Sequence, residues 1–247
     1  MVEQLTIAPL LLMWVLLVTV GSPLALSNSK LLKRRPRLGL LIWFTLLLSA
    51  FLATLAFVEL VFLLALELWM QLSTTSAGLQ NLAVVIFTSL APWILLAGGS
   101  GLLVLVNARL EPLGQQAAQM KAALDSELPA DFSFEGVAVS VVSVDYPLAF
   151  VTRVAGKSRI IISSGAKALL AEAEVNAVLW HEIGHIWGGH NLLRRIAYLV
   201  KAVTPRLPVS QAMVANVELL CELEADGFAV VHADRGALES ARAKFAF

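Results

Sequence analysis

Cysteine is nearly absent: Cys221 is the only one in 247 residues. A single thiol excludes an intramolecular disulfide framework, and its apolar surroundings give it the role of a buried structural thiol. Charge is also scarce, since Asp, Glu, Lys and Arg make up 15% of the chain and balance to a formal net charge of zero. No basic stripe runs through the polar half, so the phosphate neutralisation that nucleic-acid binding needs has no source, and no nucleic-acid partner is expected. Apolar side chains take the place of charge. They make up 58% of the residues and give a mean hydropathy of +0.79, against roughly 45–50% apolar residues in ordinary soluble domains.

The apolar residues gather into three runs. Residues 5–29 and 82–106 carry no charge, and residues 38–70 include only Glu59 and Glu67. At about 1.5 Å per residue, each run is long enough to cross a hydrocarbon layer about 30 Å thick. Residues 1–106 are therefore expected to form a three-helix transmembrane anchor in a lipid bilayer. "ALS" at 25–27 offers the small residues of a signal-peptide cleavage site, but the start "MVEQ" lacks a positive leader, so the first run reads as an anchor. Glu67 lies close enough to the end of its run to reach the interface, and Glu59 lies deeper, where it can face another helix; neither is assigned to a site. Pro92 and "AGGSG" at 97–101 indicate a kink and a close helix contact. "KLLKRRPR" at 30–37 holds five basic residues and no acid, the mark of a cytoplasmic loop. Residues 71–81 then lie outside, and residue 107 onward lies in the cytoplasm.

Residues 107–247 are expected to form one domain. A Gln- and Ala-rich helix over about 112–128 opens it, followed by a linker, "PADFSFEG". "VAVSVVSVD", "LAFVTRV" and "RIIISS" are β-branched, partly alternating runs that predict a small sheet. Ser163 or Ser164 can cap the turn that follows, and Glu172 and Glu174 suit the start of a helix running from Ala173 to about Tyr198. "LLRRIAYLVKAV" at 192–203 reads as an amphipathic or packing segment rather than a fourth span, because Arg194, Arg195 and Lys201 make central burial costly. The fold class is an α-helical membrane protein carrying an α+β domain, with no internal repeat.

Chemistry concentrates in "WHEIGHIWGGH" at 180–190. At about 100° per residue, His181 and His185 lie about 40° apart on one helical face, so their imidazoles can converge on one metal ion. Glu182 projects beside them, where its carboxylate can serve as general base without being a ligand. His190 falls about 180° from His181 if the helix continues, which removes it from the ligand set; "GG" at 188–189 is the place where that regularity can end. Further on, "VELLCELEADGF" at 217–228 places Glu218, Glu222 and Asp226 at four-residue spacing on one face, an acidic face that calls for a cation. Spacing alone allows Glu218 or Glu222 as third ligand. The Glu222 choice leaves Asp226 one turn on, able to accept the second ring N–H of a ligand histidine.

"HEIGH" together with "ELEAD", preceded by "YPLAF" and "RIIISSGAKALL" and by transmembrane runs, resembles the integral-membrane gluzincin metallopeptidases of the HtpX and CAAX prenyl protease type and the related BlaR/MecR type. The resemblance covers roughly residues 137–231. It implies a zincin-like domain, a Zn2+ cofactor held by His181, His185 and Glu222, Glu182 as base, and Asp226 as outer partner. It further implies peptide-bond hydrolysis in protein or peptide substrates near the membrane. His232 and Arg235 are the candidates for a cation that stabilises the transition state. A BlaR-like protease cleaving a repressor, or a regulator that keeps zinc only for stability, are the competing readings, and an adjacent base such as Glu182 is not something a structural zinc site needs.

Overall fold

Proline at a first helical position fixes φ without costing a hydrogen bond, and Pro36 opens the longest helix among the described residues in this way. The computed structural model describes residues 2–73, 129–154 and 156–245. It divides into two compact units, one of residues 1–29, 41–110 and 200–213, the other of residues 30–40, 111–199 and 214–247.

In the first unit, α1 (Val2–Leu16) passes through a π-helical turn (Leu17–Gly21) into α2 (Ser22–Leu26). The hydroxyls of Thr19 and Ser22 donate to the carbonyls of Val15 and Val18 at 2.8 and 2.5 Å, back-bonding that accompanies the widened turn. The short α3 (Lys30–Arg34) and the first turn of α4 (Pro36–Ser73) belong to the second unit and the rest of α4 to the first; its 38 residues span about 57 Å at 1.5 Å each. Two stretches, Ile7–Leu26 and Pro36–Glu67, are long and apolar enough to cross a membrane. They match the first two predicted runs to within a few residues. Only 11% and 6% of their most apolar windows is buried, so side chains such as Leu10, Met13, Leu41 and Phe51 face outward, as in a lipid-facing helix. The third predicted run, 82–106, and the predicted helix at 112–128 lie outside the described residues.

The second unit holds a four-stranded sheet in the order β1-β2-β4-β3, from β1 (Phe132–Phe134), β2 (Val137–Val142), β3 (Ala149–Val154) and β4 (Lys157–Ser163). β4 runs parallel to β2 and antiparallel to β3. Ile160, Ile161 and Ile162 in this central strand are all buried, which is why the strand reads as a continuous apolar run. β1 was not predicted and falls in the expected linker. Its signal is "FSFEGVAV": two alternating runs joined by Glu135 and Gly136 at φ 46° and 77°, the left-handed pair of a tight hairpin.

Ser163 accepts from the amide of Ala166 at 3.0 Å and so caps α5 (Ser164–Leu169). Next come α6 (Glu172–Trp187), α7 (His190–Val203), α8 (Pro208–His232) and α9 (Arg235–Phe245). The predicted single helix over 173–198 is two helices, because Gly189 takes φ 65° and turns the chain after Trp187. Val139, Ile160 and Ile162 pack with Leu179 and Ile183, pinning one face of α6 onto the sheet. α9 is tied to the start of α6 through Glu174, which accepts from Ser240 Oγ and Lys244 Nζ, both at 2.6 Å, and from the amide of Ala171 at 2.7 Å.

Candidate metal centre

Two helices supply the polar cluster. Gly184 lets α6 approach α8 closely, since a Cβ there would stand 2.9 Å from the Cα of Ala225. This contact sets "HEIGH" against "ELEAD". Nε2 of His185 lies 3.1 Å from Nε2 of His181, which in turn lies 3.4 Å from Oε2 of Glu222. Nε2 of His185 is 3.5 Å from Oε1 of Glu222. The two imidazoles meet different oxygens of that carboxylate, and one donor atom from each of the three residues lies within 4.8 Å of the others, close enough for a single tetrahedral zinc ion, whose donors stand about 3.3–3.4 Å apart, to draw them together. Two imidazole nitrogens and one carboxylate oxygen are also the donor types that zinc takes.

The surroundings favour positive charge on His181 and not on His185. Burial pulls His181 down, but the carboxylates of Asp226 and Glu222 outweigh it and raise the imidazole to about 9. Burial likewise opposes the ionised form of Glu222, yet contact with His181, with His185 and Arg194 close by, holds its carboxyl below the ordinary range. Burial and the neighbouring His181 keep His185 well below an ordinary imidazole, hence neutral and able to offer a lone pair. Burial pushes Glu182 up to about 7, against the pull of His181.

Around the cluster, the acids of α8 have separate partners. Oδ1 of Asp226 lies 3.0 Å from Nδ1 of His181, at ion-pair distance though not aligned as a hydrogen bond, and 2.6 Å from Arg242. Glu222 Oε1 accepts from Arg194 at 2.5 Å. Glu218 accepts instead from the hydroxyl of Tyr198, away from the histidines. Cys221 is buried, and burial pushes its thiol up to about 12. His190 departs from the expected geometry. The helix ends before it, and its fully buried ring returns to put Nδ1 2.7 Å from Nδ1 of His185.

A cavity of about 670 Å³ opens over the cluster, lined by His181, Glu182, His185 and Glu222, by Ala149, Phe150 and Val151 of β3, and by Arg194 and Arg242. His232 does not line it. It is exposed, stacks on Trp180 at 4.2 Å and has Nδ1 2.9 Å from the carbonyl oxygen of Phe228. Arg235 is exposed and outside the lining as well. Among the described residues, the cations lining the cavity are Arg194 and Arg242, which sequence reasoning passed over. Arg194 was visible only as a charge that argued against a fourth span, and Arg242 carried no signal at all.

Residues 107–246 match the model of peptidase family M48, more than half of the chain. The chain belongs to peptidase family M48. Among solved structures, the crystal structure of S. mikatae Ste24p is similar at 12% identity and a TM-score of 0.40, covering 98% of this chain and 91% of that one. No curated protein matches. Membership of family M48 makes this a metallopeptidase-family chain, in agreement with the expected gluzincin resemblance.

Proposed function

We propose that the protein is a membrane-bound zinc endopeptidase, with His181, His185 and Glu222 as ligands, Glu182 as general base and Asp226 as the outer partner of His181. The observation that carries this reading is the convergence of one donor atom each from His181, His185 and Glu222 to within 4.8 Å, beside the buried Glu182, which lines the same cavity. Zinc, when bound, supplies the Lewis acidity that polarises a carbonyl and acidifies water. Glu182 takes the proton released as water attacks the peptide carbon and returns it to the leaving amine nitrogen. Asp226, held by Arg242, fixes the ring of His181. β3 ends the sheet order and lines the cavity beside Glu182, which supports docking of an extended peptide by strand addition.

In this reading residues 1–106 form a three-helix anchor and residues 107–247 the peptidase domain, which faces the cytoplasm and cuts proteins in or near the membrane. The positive stretch at 30–37 supports that orientation. Comparing the membrane proteome of cells carrying wild type with that of cells carrying Glu182→Gln tests the function. Fragments that require the carboxylate are expected; identical proteomes would count against an endopeptidase.

A further inference from the structure

His190 is a fully buried histidine that none of the roles above uses. Its Nδ1 meets Nδ1 of His185 at 2.7 Å, and its Nε2 meets Oε2 of Glu224 at 3.2 Å. The other carboxylate oxygen of Glu224 accepts from Nε of Arg37, in the first turn of α4, at 2.5 Å. Four side chains from four elements thus form one line leading away from the proposed metal position.

The chemistry fixes the direction of that line. Nε2 of His185 faces His181 and Glu222, so as a ligand it must be free of hydrogen, and the ring proton must sit on Nδ1. Nδ1–H of His185 then donates to Nδ1 of His190, and Nε2–H of His190 donates to the carboxylate of Glu224. Each donor in the chain has an acceptor, and the charge at the far end is balanced by Arg37. The backbone is shaped for this ring: a Cβ on Gly188 would lie 2.2 Å from Nε2 of His190. Glycine at 188 and the left-handed turn at Gly189 together let His190 fold back over the helix end.

We propose that His190 and Glu224 are positioning residues, a relay that locks the tautomer and ring orientation of His185 for metal binding. Arg37 closes the relay by pairing with the far carboxylate oxygen of Glu224. This rests on the zinc reading above, and its test separates the two.

Zinc affinity is measured by chelator competition on the full-length protein in detergent, with the cobalt-substituted visible spectrum as second readout. Wild type, Glu224→Gln, His190→Gln, His190→Phe and Gly188→Ala are compared. His190→Phe fills the space but accepts no proton, and Gly188→Ala displaces the ring; both should weaken zinc binding by about 10–100-fold and shift the cobalt bands. His190→Gln, which can accept and donate, should recover part of the affinity, and Glu224→Gln should fall between it and wild type. Wild-type affinity and an unchanged cobalt spectrum in both His190→Phe and Gly188→Ala would overturn the relay alone. A wild-type protein that binds no zinc would overturn the metal centre and the relay with it.

Discussion

Gly184 faces the backbone of Ala225 so closely that an added Cβ would lie 2.9 Å from its Cα and 3.2 Å from its carbonyl oxygen. Backbone atoms cannot rotate aside as a side-chain tip can. The spacing between α6 and α8, and with it the distance from the histidine pair to Glu222, therefore depends on a missing methyl group. Gly184→Ala should cost about 1–3 kcal/mol of stability, as overpacking does, and should lower bound zinc well below one per chain. Thermal unfolding and metal analysis of the purified variant check both; full zinc content would show that the helix spacing does not set the site.

Ligand choice on α8 gives a graded expectation. Glu222→Ala should abolish tight zinc binding, Asp226→Ala should weaken it about 10–100-fold, and Glu218→Ala should leave it nearly unchanged because Glu218 pairs with Tyr198. Metal analysis of the three proteins in detergent decides. A zinc-free Glu218→Ala protein beside a zinc-replete Glu222→Ala protein would reverse the assignment.

Acid should loosen the C-terminal helix. Lys244, then Ser240 and the Ala171 amide, hold the Glu174 carboxyl down at about 2 from an ordinary 4.5. A carboxyl lowered on folding stabilises fully above its unfolded value and loses that contribution as pH falls through its folded one. The Tm should therefore decline between about pH 4.5 and 2 partly through this group. Glu174→Gln should flatten that part of the decline, and a variant with the same pH profile as wild type would remove Glu174 from the account.

Orientation is checked by reporter fusions. A reporter after residue 106 should report cytoplasm, and one within residues 71–81 the exterior, because five basic residues cluster at 30–37. Opposite labelling would move the peptidase domain outside and change its substrate class.

Residues close in sequence were the readable ones. The His181, Glu182 and His185 spacing, the acidic face of "ELEAD", two apolar runs and three strands are local periodic signals, and the structure has an element at each. The helix break was readable only as a place: "GG" marked it, but the direction in which Gly189 sends His190 depends on the burial waiting against His185. Arg194, Arg242 and Glu224 were out of reach for the same reason. Each acts through a partner 16 to 187 positions away, as Arg242 does on Asp226 and Arg37 on Glu224, and no local pattern encodes such pairings. His232 and Arg235 were the candidates for the stabilising cation, yet both are exposed, at the end of α8 and the start of α9, and neither lines the cavity.

The central claim is that a base which is not a ligand drives hydrolysis at a zinc site. Purified wild type and Glu182→Gln, assayed in parallel for metal content and for cleavage of a protein substrate, test it most directly. The account predicts about one zinc per chain in both proteins and cleavage only by wild type. Cleavage at the wild-type rate by Glu182→Gln would contradict it.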